Sequence, residues 1–100
     1  MHALDALGSP IRREILVRLQ VRPATVGEIA EHFPVSRPAI SRHLSMLRRA
    51  GLVSTHRTEA RTVYAVRVAG FQPVRAYLDG FWDVALERLS ELSKKGRKDR

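Results

Sequence analysis

Residues 34–53 read PVSRPAISRHLSMLRRAGLV, and this stretch predicts a short helix with well-defined ends. Ser36 is a typical N-cap residue, because its hydroxyl can accept from the free N–H groups of the first turn. Pro38 is tolerated in that turn, where the N–H groups have no partner within the helix. Gly51 is expected to take the left-handed conformation that ends a helix. The apolar residues recur on one face at i, i+4 and i+7, as Ile40, Leu44 and Leu47.

The other faces of this helix carry basic or hydroxyl side chains and no acid: Arg37, Ser41, Arg42, Ser45, Arg48 and Arg49. A helix with one apolar stripe and an acid-free remainder is suited to lie between two phosphate backbones. We therefore interpret residues 36–50 as a DNA recognition helix.

Two more helices are predicted before it. The first starts with Ser9 as cap and Pro10 at the first helical position. Its core stripe is Ile11, Ile15, Leu16 and Leu19, whereas Arg12, Arg13, Glu14 and Arg18 are expected to face water. Thr25 and Glu28 have the spacing of a capping box for the second, whose buried side is Ile29, Ala30 and Phe33. Because a tight turn at Pro34 precedes the basic helix, we expect a helix-turn-helix.

A β-hairpin is predicted after the recognition helix, because residues 52–58 and 62–68 are rich in Val, Thr and Tyr with partial alternation. Residues 59–61 form the connection, although they lack an Asn-Gly type of turn signal. We expect Val63 and Ala65 to face the core, with Val53 or Val66 as further candidates. His56, Arg57 and Arg61 are expected together near the tip, where a phosphate backbone would pass. Gly70 breaks the strand pattern.

The longest helix is predicted from residue 72 to about residue 92, with more apolar surface than so small a domain can cover. Its apolar residues are Val74, Tyr77, Leu78, Phe81, Trp82, Val84, Ala85, Leu86, Leu89 and Leu92. Gly80 sits inside this helix at a cost of about 1 kcal/mol against Ala. With Ala76 it either allows another helix to approach closely or is merely tolerated. Residues 1–7 form a short helical arm that must lean on something else, and residues 94–100 (KKGRKDR) a basic flexible tail.

The composition favours one soluble domain with a polyanionic partner. The chain has 100 residues, a formal charge of +8 and 44% hydrophobic residues. Nucleic acid is the first candidate partner and an anionic membrane surface the second, while a basic protein without such a partner is the plainer alternative. The absence of cysteine excludes disulfides and thiolate chemistry. Since there is no apolar run of about 20 residues and no charged-then-apolar leader, we expect a cytoplasmic protein.

The ordered elements resemble the ArsR/SmtB family of winged helix-turn-helix repressors. The resemblance rests on residues 41–44 (SRHL), Leu47 and residues 50–53 (AGLV) in the recognition helix. It continues upstream through residues 6–12 (ALGSPIR) and downstream through the hairpin, and so covers most of the chain. The implied fold is mainly α with a small β-hairpin, the wing (52–68). The implied domain is residues 1–93, with a dimerisation helix at about 72–93.

The resemblance also implies roles for single residues. The exposed residues early in the recognition helix would meet base edges: Arg37, Pro38, Ser41 and Arg42. Phosphate contacts are expected from Ser36, Ser45, Arg48, Arg57 and Arg61. For any one arginine the alternative is a solvated surface charge, and His43 is expected to be partly packed. A two-fold dimer on a palindromic operator would be formed by the first and last helices, through Leu4, Leu7, Val74, Tyr77, Leu78, Phe81, Trp82, Ala85 and Leu89.

The sequence departs from the metal-sensing members of that family. The segment that would carry their Cys-containing signature reads EIAEH at residues 28–32, and the last helix has Asp79 and Asp83 but no His. The four His residues show no i, i+4 pairing, so we expect no metal and no cofactor. Trp82 following Phe81 resembles a branch without recognised metal ligands. An effector pocket between Trp82 and Tyr77 remains an alternative to a dimer core, so the effector is unknown.

Enzymatic interpretations are not supported, because Ser41 and His43 point away from each other on a helix and no phosphate loop or nucleophile motif is present. We therefore predict a sequence-specific transcriptional regulator that binds double-stranded DNA as a homodimeric repressor. Two alternatives remain. One is a winged-helix module that binds an acidic protein partner, and the other is non-specific nucleic-acid binding.

Overall fold

The computed structural model describes residues 2–98 as five α-helices, a two-stranded antiparallel sheet and one 3₁₀ helix. In chain order these are α1 (Ala3–Ala6), α2 (Pro10–Val21), α3 (Val26–Ala30), α4 (Arg37–Arg49), β1 (Val53–Thr58), β2 (Arg61–Val66), the 3₁₀ helix (Val68–Phe71) and α5 (Gln72–Lys98). The order and types match a winged helix-turn-helix, in which α3 and α4 form the helix-turn-helix and β1 and β2 form the wing.

Both ends of α4 are closed as predicted. The Ser36 hydroxyl accepts a first-turn backbone N–H at 3.3 Å. At the other end Gly51 has φ +78°, the left-handed value that favours glycine. The Leu52 N–H donates to the Leu47 carbonyl at 2.9 Å, and the Gly51 N–H donates to the Arg48 carbonyl at 3.0 Å. These two bonds are those of a Schellman motif, so the end of α4 is fixed by backbone geometry.

The predicted caps of α2 and α3 are also present. Ser9 Oγ accepts from the backbone of α2, and Pro10 occupies the first turn. In the capping box of α3, the Glu28 N–H donates to Thr25 Oγ1 at 3.2 Å and the Thr25 N–H donates to Glu28 Oε1 at 2.9 Å. Helix α3 ends at Ala30, before Phe33, which was predicted to lie on the buried side of this helix.

The core joins the first four helices to the base of the wing and to the first turn of α5. Its buried members are Ala3, Ala6, Ile15, Leu16, Leu19, Ile29, Ile40, Leu44, Leu47, Leu52, Val53 and Val74. All three residues of the predicted α4 stripe are fully buried. The recognition helix is therefore held by its apolar face, which leaves its other faces to solvent.

The sequence predicted that Arg12 faces water, but in the structure this residue holds three helices together. Its Nε donates to the Ala6 carbonyl of α1 at 2.7 Å. Its Nη1 lies 3.1 Å from the Met46 sulfur and 3.5 Å from His43 Nδ1, both on α4. The periodicity of α2 correctly excludes Arg12 from the apolar stripe. Periodicity could not show that backbone carbonyls left unpaired at the end of α1 would accept hydrogen bonds from the Arg12 guanidinium.

The wing has the predicted strands, but its core face differs from the expectation. Val53 pairs with Val66, and β2 extends the sheet through a bridge between Tyr64 and Ala24. Val53, Tyr64 and Val66 pack on the core, whereas Val63 and Ala65 belong to the opposite face. Because both alternating sets in β2 are apolar, periodicity alone did not distinguish the two faces. The expectation that Val63 and Ala65 face the core was therefore wrong.

Gly70 brings the root of α5 against the end of α4. It is buried within the 3₁₀ helix, and a Cβ there would overlap the Gly51 carbonyl oxygen and lie 2.7 Å from the Gly51 carbonyl carbon. Only glycine permits this backbone approach. The sequence suggested only that Gly70 ends a strand.

Helix α5 leaves the body of the domain after its first turn. Val74, predicted to lie in a dimer interface, is instead 9% exposed and packs in the core of its own chain. Beyond it the large apolar side chains are exposed: Tyr77, Leu78, Phe81, Trp82, Val84, Leu86, Leu89 and Leu92. The helix continues to Lys98, past the predicted end near residue 92 and into the predicted flexible tail. Residues 99 and 100 of that tail lie outside the described residues.

Candidate nucleic-acid interface

The outer surface of α4 is one continuous exposed face without an acid. All the predicted base-reading and phosphate-binding residues of this helix and its cap are exposed: Ser36, Arg37, Pro38, Ser41, Arg42, Ser45 and Arg48. Arg49 is exposed as well. This face can donate hydrogen bonds from guanidinium and hydroxyl groups over its full length, which is the chemistry of base edges and phosphate oxygens.

Arg37 is positioned by a glycine that sequence reasoning missed. A Cβ on Gly27 would lie 2.7 Å from Arg37 Nη2, so the guanidinium rests against the first turn of α3. The glycine leaves room for this side chain to lie across α3. The signal in the sequence was the glycine inside the TVGE capping box, where a helix former would otherwise be favoured.

Ser36 can serve both as a cap and as a phosphate donor. Its oxygen accepts from the Ala39 N–H at 3.3 Å. A hydroxyl keeps one proton to donate while its oxygen accepts. The cap therefore leaves the donor of Ser36 available at the start of the exposed face.

The basic residues of the wing were predicted to lie together near its tip. In the structure they are divided between the two faces of the hairpin. Arg57 pairs with Thr62, whereas Arg61 pairs with Thr58 and shares its face with His56. All three basic residues are exposed. The turn between the strands contains only Glu59 and Ala60, so Arg61 begins β2.

Arg61 forms an ion pair with the helix-turn-helix. Its Nη2 lies 2.8 Å from Glu28 Oε1, and the two side chains are 57% and 54% exposed. The pKa of Glu28 is lowered from its ordinary value, first by the backbone N–H of Thr25, then by the Thr25 hydroxyl, and less by the charges of Arg61 and Arg22. Because both partners are well exposed, the pair adds little stability but orients the wing toward α3. Sequence reasoning missed it because the two residues are distant in the chain.

His43 is half-buried on α4, as expected for a packed helix residue rather than a base reader. Burial lowers the pKa of His43 below its ordinary value of 6.5, and the nearby charges of Arg12 and Arg42 lower it further. At neutral pH the ring is therefore uncharged, so that Nδ1 can accept from the Arg12 guanidinium.

Within residues 2–98 the candidate metal-binding and effector-binding residues do not converge. Among residues 2–98, no three His, Asp or Glu side chains are grouped so that they could hold a metal ion. Tyr77 and Trp82, the alternative effector site, are 58% and 62% exposed on α5. No helix within the same residues is both long and apolar enough to cross a membrane.

Comparison with known proteins identifies the family. A family model described as bacterial regulatory protein, arsR family, matches residues 9–55. The HTH-type transcriptional regulator Rv2034 of Mycobacterium tuberculosis (strain ATCC 25618 / H37Rv) is 42% identical over 90 residues, which are 90% of this chain and 84% of the relative. The transcriptional repressor SdpR of Bacillus subtilis (strain 168) is 40% identical over 71 residues, 71% of this chain and 79% of the relative.

A solved structure agrees over nearly the whole chain. The ArsR-like transcriptional regulator from Rhodococcus sp. RHA1 superposes with a TM-score of 0.75 and 27% identity, covering 91% of this chain and 86% of the other. The ordered elements, the exposed acid-free face of α4 and these similarities lead to one conclusion. The chain belongs to the ArsR family of winged helix-turn-helix transcriptional regulators, which act on DNA and are not enzymes.

Proposed function

We propose that this protein is a cytoplasmic homodimeric repressor that reads a palindromic operator through α4 and contacts flanking phosphates through the wing. The observation that carries the proposal is the exposed, acid-free face of α4, backed by the fully buried Ile40, Leu44 and Leu47. A rigidly seated helix with donors along its outer face fits the major groove. Repression is supported by the likeness to the Bacillus relative, which is named a transcriptional repressor.

Within α4 we assign sequence reading to the N-terminal half. Arg42 and Arg37 can each bond bidentately to guanine O6 and N7, and Ser41 can bond several base edges. The Pro38 ring can contact a thymine methyl group. Ser36, Ser45, Arg48, Arg57 and Arg61 are assigned to phosphates, where they would fix the register. Because Arg61 already faces Glu28, its contribution to DNA affinity should be smaller than that of Arg57.

The dimer is supported by the exposed apolar length of α5. Monomeric proteins rarely expose contiguous apolar patches beyond a few hundred Å², and larger patches mark interaction sites. Leu4 and Leu7 of the N-terminal arm are only half-buried and can extend this surface. A two-fold axis through these elements would set two copies of α4 about one DNA turn (~34 Å) apart on an operator. In this proposal residues 1–93 form the DNA-binding and dimerisation domain.

The test is a fluorescence anisotropy titration with duplex DNA from upstream of the protein's own gene and with a scrambled duplex, each at two salt concentrations. We expect a preference of ~10³-fold or more for the upstream duplex. Arg42→Ala should weaken specific binding by about 10-fold or more, since a bidentate guanine contact contributes ~1–3 kcal/mol of discrimination. The control is Arg75→Ala, which removes the same charge from an exposed position on α5 and should leave affinity within about 3-fold.

The outcomes separate this proposal from the alternatives. If Arg42→Ala bound both duplexes like the parent, the base-reading assignment would be wrong. Equal, salt-sensitive binding to both duplexes, with no enriched site in a random-library selection, would indicate non-specific nucleic-acid binding. No binding to either duplex at low salt would favour a protein-interaction module.

Dimerisation is tested separately by Phe81→Glu. The Phe81 side chain is 67% exposed in the single chain, so the change should leave the fold of the protomer intact. We expect monomers in analytical ultracentrifugation, because a buried carboxylate at the interface is strongly unfavourable. Ser90→Glu, which lies on the polar side of α5, serves as the control and should remain a dimer. An unchanged dimer in Phe81→Glu would refute the α5 interface.

A further inference from the structure

An apolar groove lies beside the root of α5, between α2 and the base of the wing. It is lined by Leu16, Val17, Gln20, Val66, Val68 and Phe71 and has a volume of about 300 Å³. Gln20 is its one polar lining residue. Val17 and Val68 are 55% and 79% exposed, although they border the hydrophobic core. Two exposed valines border this concave apolar surface, which makes the groove a candidate contact site for apolar side chains.

The far end of α5 carries large apolar side chains that are exposed in the single chain. Val74 and Leu92 are 18 residues apart, which is five complete turns, so both side chains project from the same side of the helix. On that side Val74 rests on the core of its own chain, whereas Leu92 is 65% exposed. The two positions are about 27 Å apart along the helix axis. The side of α5 that is buried at its root is therefore exposed at its far end, where a second chain can cover it.

A single partner helix would not cover the apolar surface of α5. At 100° per residue, the apolar side chains from Tyr77 to Leu92 span about 200° around the axis. A two-helix seam covers a stripe narrower than the roughly 100° that a surface helix buries against a domain core. Ala76 and Gly80 lie outside this arc, on the polar side. The distal part of α5 must therefore contact another surface in addition to a second α5.

An antiparallel arrangement would supply that surface from the partner's body. If two copies of α5 pair antiparallel, each far end returns to the partner's body. A crossing point between Phe81 and Asp83 brings Leu92 level with residues 70–74 of the other copy. At that level lie the N-terminal arm, which the proposed dimer already uses, and the groove beside Phe71. A parallel pair would leave both grooves uncovered and would cover the distal ends only along the seam between the two helices.

We propose that Leu89 and Leu92 at the far end of α5 dock into the groove between α2 and the wing base of a second copy. This inference rests on the proposed homodimer and adds where the distal helix is seated. It makes the groove and the distal leucines two halves of one reciprocal contact. Because Val66 ends β2 and Val68 begins the 3₁₀ helix that follows it, the partner's helix would support the base of the wing, the element that approaches DNA.

The test uses an engineered disulfide, since the chain contains no cysteine. Val68→Cys combined with Leu92→Cys should give a covalent dimer on a non-reducing gel after mild oxidation. Residue 92 is about 30 Å along α5 from its start at residue 72, and a disulfide needs Cα atoms within about 7 Å, so the bond can form only between chains. Val68→Cys with Ser90→Cys is the control, because Ser90 lies on the polar side of α5. The single variants control for bonds between identical positions.

A second measurement uses two matched variants on α2. Val17→Glu places a charge in the groove, whereas Val21→Glu places the same charge at a residue of the same helix that is 78% exposed and outside the groove. We expect Val17→Glu to raise the dimer dissociation constant at least 10-fold in sedimentation equilibrium and Val21→Glu to leave it within about 2-fold.

The results distinguish the docking from the dimer itself. If the parent is a dimer but the Val68/Leu92 pair does not cross-link and both glutamate variants dimerise equally, the docking is refuted and the homodimer stands. If the parent is a monomer at all concentrations, both fail. If the parent dimer binds the apolar dye 1-anilinonaphthalene-8-sulfonate and Val17→Glu abolishes that binding without weakening the dimer, the groove takes a small apolar molecule and the docking is refuted.

Discussion

Replacing Gly70 by alanine should strongly destabilise the fold, because the added methyl group meets backbone atoms. The added Cβ would overlap the Gly51 carbonyl oxygen and come within 2.7 Å of its carbonyl carbon, where ordinary contacts begin near 3.4 Å. The obstructing atoms are backbone, and they are fixed by the hydrogen bond from the Leu52 N–H to the Leu47 carbonyl. Neither a side-chain rotation nor a small loop movement can relieve the contact.

The magnitude follows from two contributions. Overpacking a well-packed interior costs typically 1–3 kcal/mol, and the upper end applies where backbone must move. The shift would also disturb the hydrogen bond from Arg67 Nη1 to the Gly51 carbonyl at 3.2 Å, at roughly 1 kcal/mol. We therefore expect Gly70→Ala to lower the free energy of unfolding by about 3–4 kcal/mol. For a domain of this size this corresponds to a melting temperature lower by about 12–20 °C.

The assay is urea and thermal unfolding followed by circular dichroism, at two protein concentrations because an oligomer makes the transition concentration-dependent. Gly80→Ala is the matched control. A Cβ at Gly80 meets nothing within 4 Å in the single chain, and the residue lies on the polar side of α5. It should gain about 0.5–1 kcal/mol from helix propensity. A Gly70→Ala variant as stable as the parent would show that the close backbone approach is not a real constraint.

Three further predictions concern stability. Lowering the pH through 6.5 should reduce the free energy of unfolding. Burial and then the Arg12 guanidinium lower the pKa of His43 in the folded protein. The unfolded state therefore binds a proton at His43 more tightly than the folded state does. Urea titrations from roughly pH 8 to pH 5 should give a weaker pH dependence in His43→Gln, and an equal slope would contradict the assignment. Arg12→Ala should lower the free energy of unfolding by about 2–3 kcal/mol in urea, since its charged hydrogen bonds join α1 to α2. Arg13→Ala loses one exposed bond and should cost less than about 1 kcal/mol. Equal losses would refute the role of Arg12 in holding the helices together. Thr25→Ala should lower the free energy of unfolding by about 1 kcal/mol, because the cap of α3 is lost. Glu28→Gln keeps an acceptor for the Thr25 N–H and should cost less. The reverse order would mean that the charge of Glu28 matters more than its hydrogen bond.

The features that the sequence predicted correctly are those determined by neighbouring residues. The cap at Ser36, the left-handed Gly51 and the Thr25–Glu28 capping box each depend on atoms within about five positions. The buried stripe of α4 follows from helical periodicity, which is equally local. Because a helix-turn-helix is built from such short-range signals, its position along the chain could be read from the residues alone.

The features that the sequence missed depend on contacts between distant residues. The bond between Arg61 and Glu28 spans 33 positions, and the contact of Arg12 with Met46 spans 34. The orientation of β2 was undetermined because both of its faces carry apolar residues. Val74 has the same periodicity as the exposed residues of α5, so its burial depends on where the helix leaves the body. In each case local pattern identifies the type of side chain but not its partner.

The contact between Gly51 and Gly70 joins the two surfaces on which the proposed function depends. Gly51 terminates the recognition helix, and Gly70 lies two residues before the start of α5. A palindromic operator requires the two recognition helices to be held at a fixed separation, since half-site spacing is a geometric property of the dimer. A flexible joint between α4 and α5 would let that separation vary even in a tight dimer. Here the joint is backbone packed on backbone, which has no side-chain rotamers to adjust. The orientation of α5 in a dimer would therefore be transmitted directly to the end of α4.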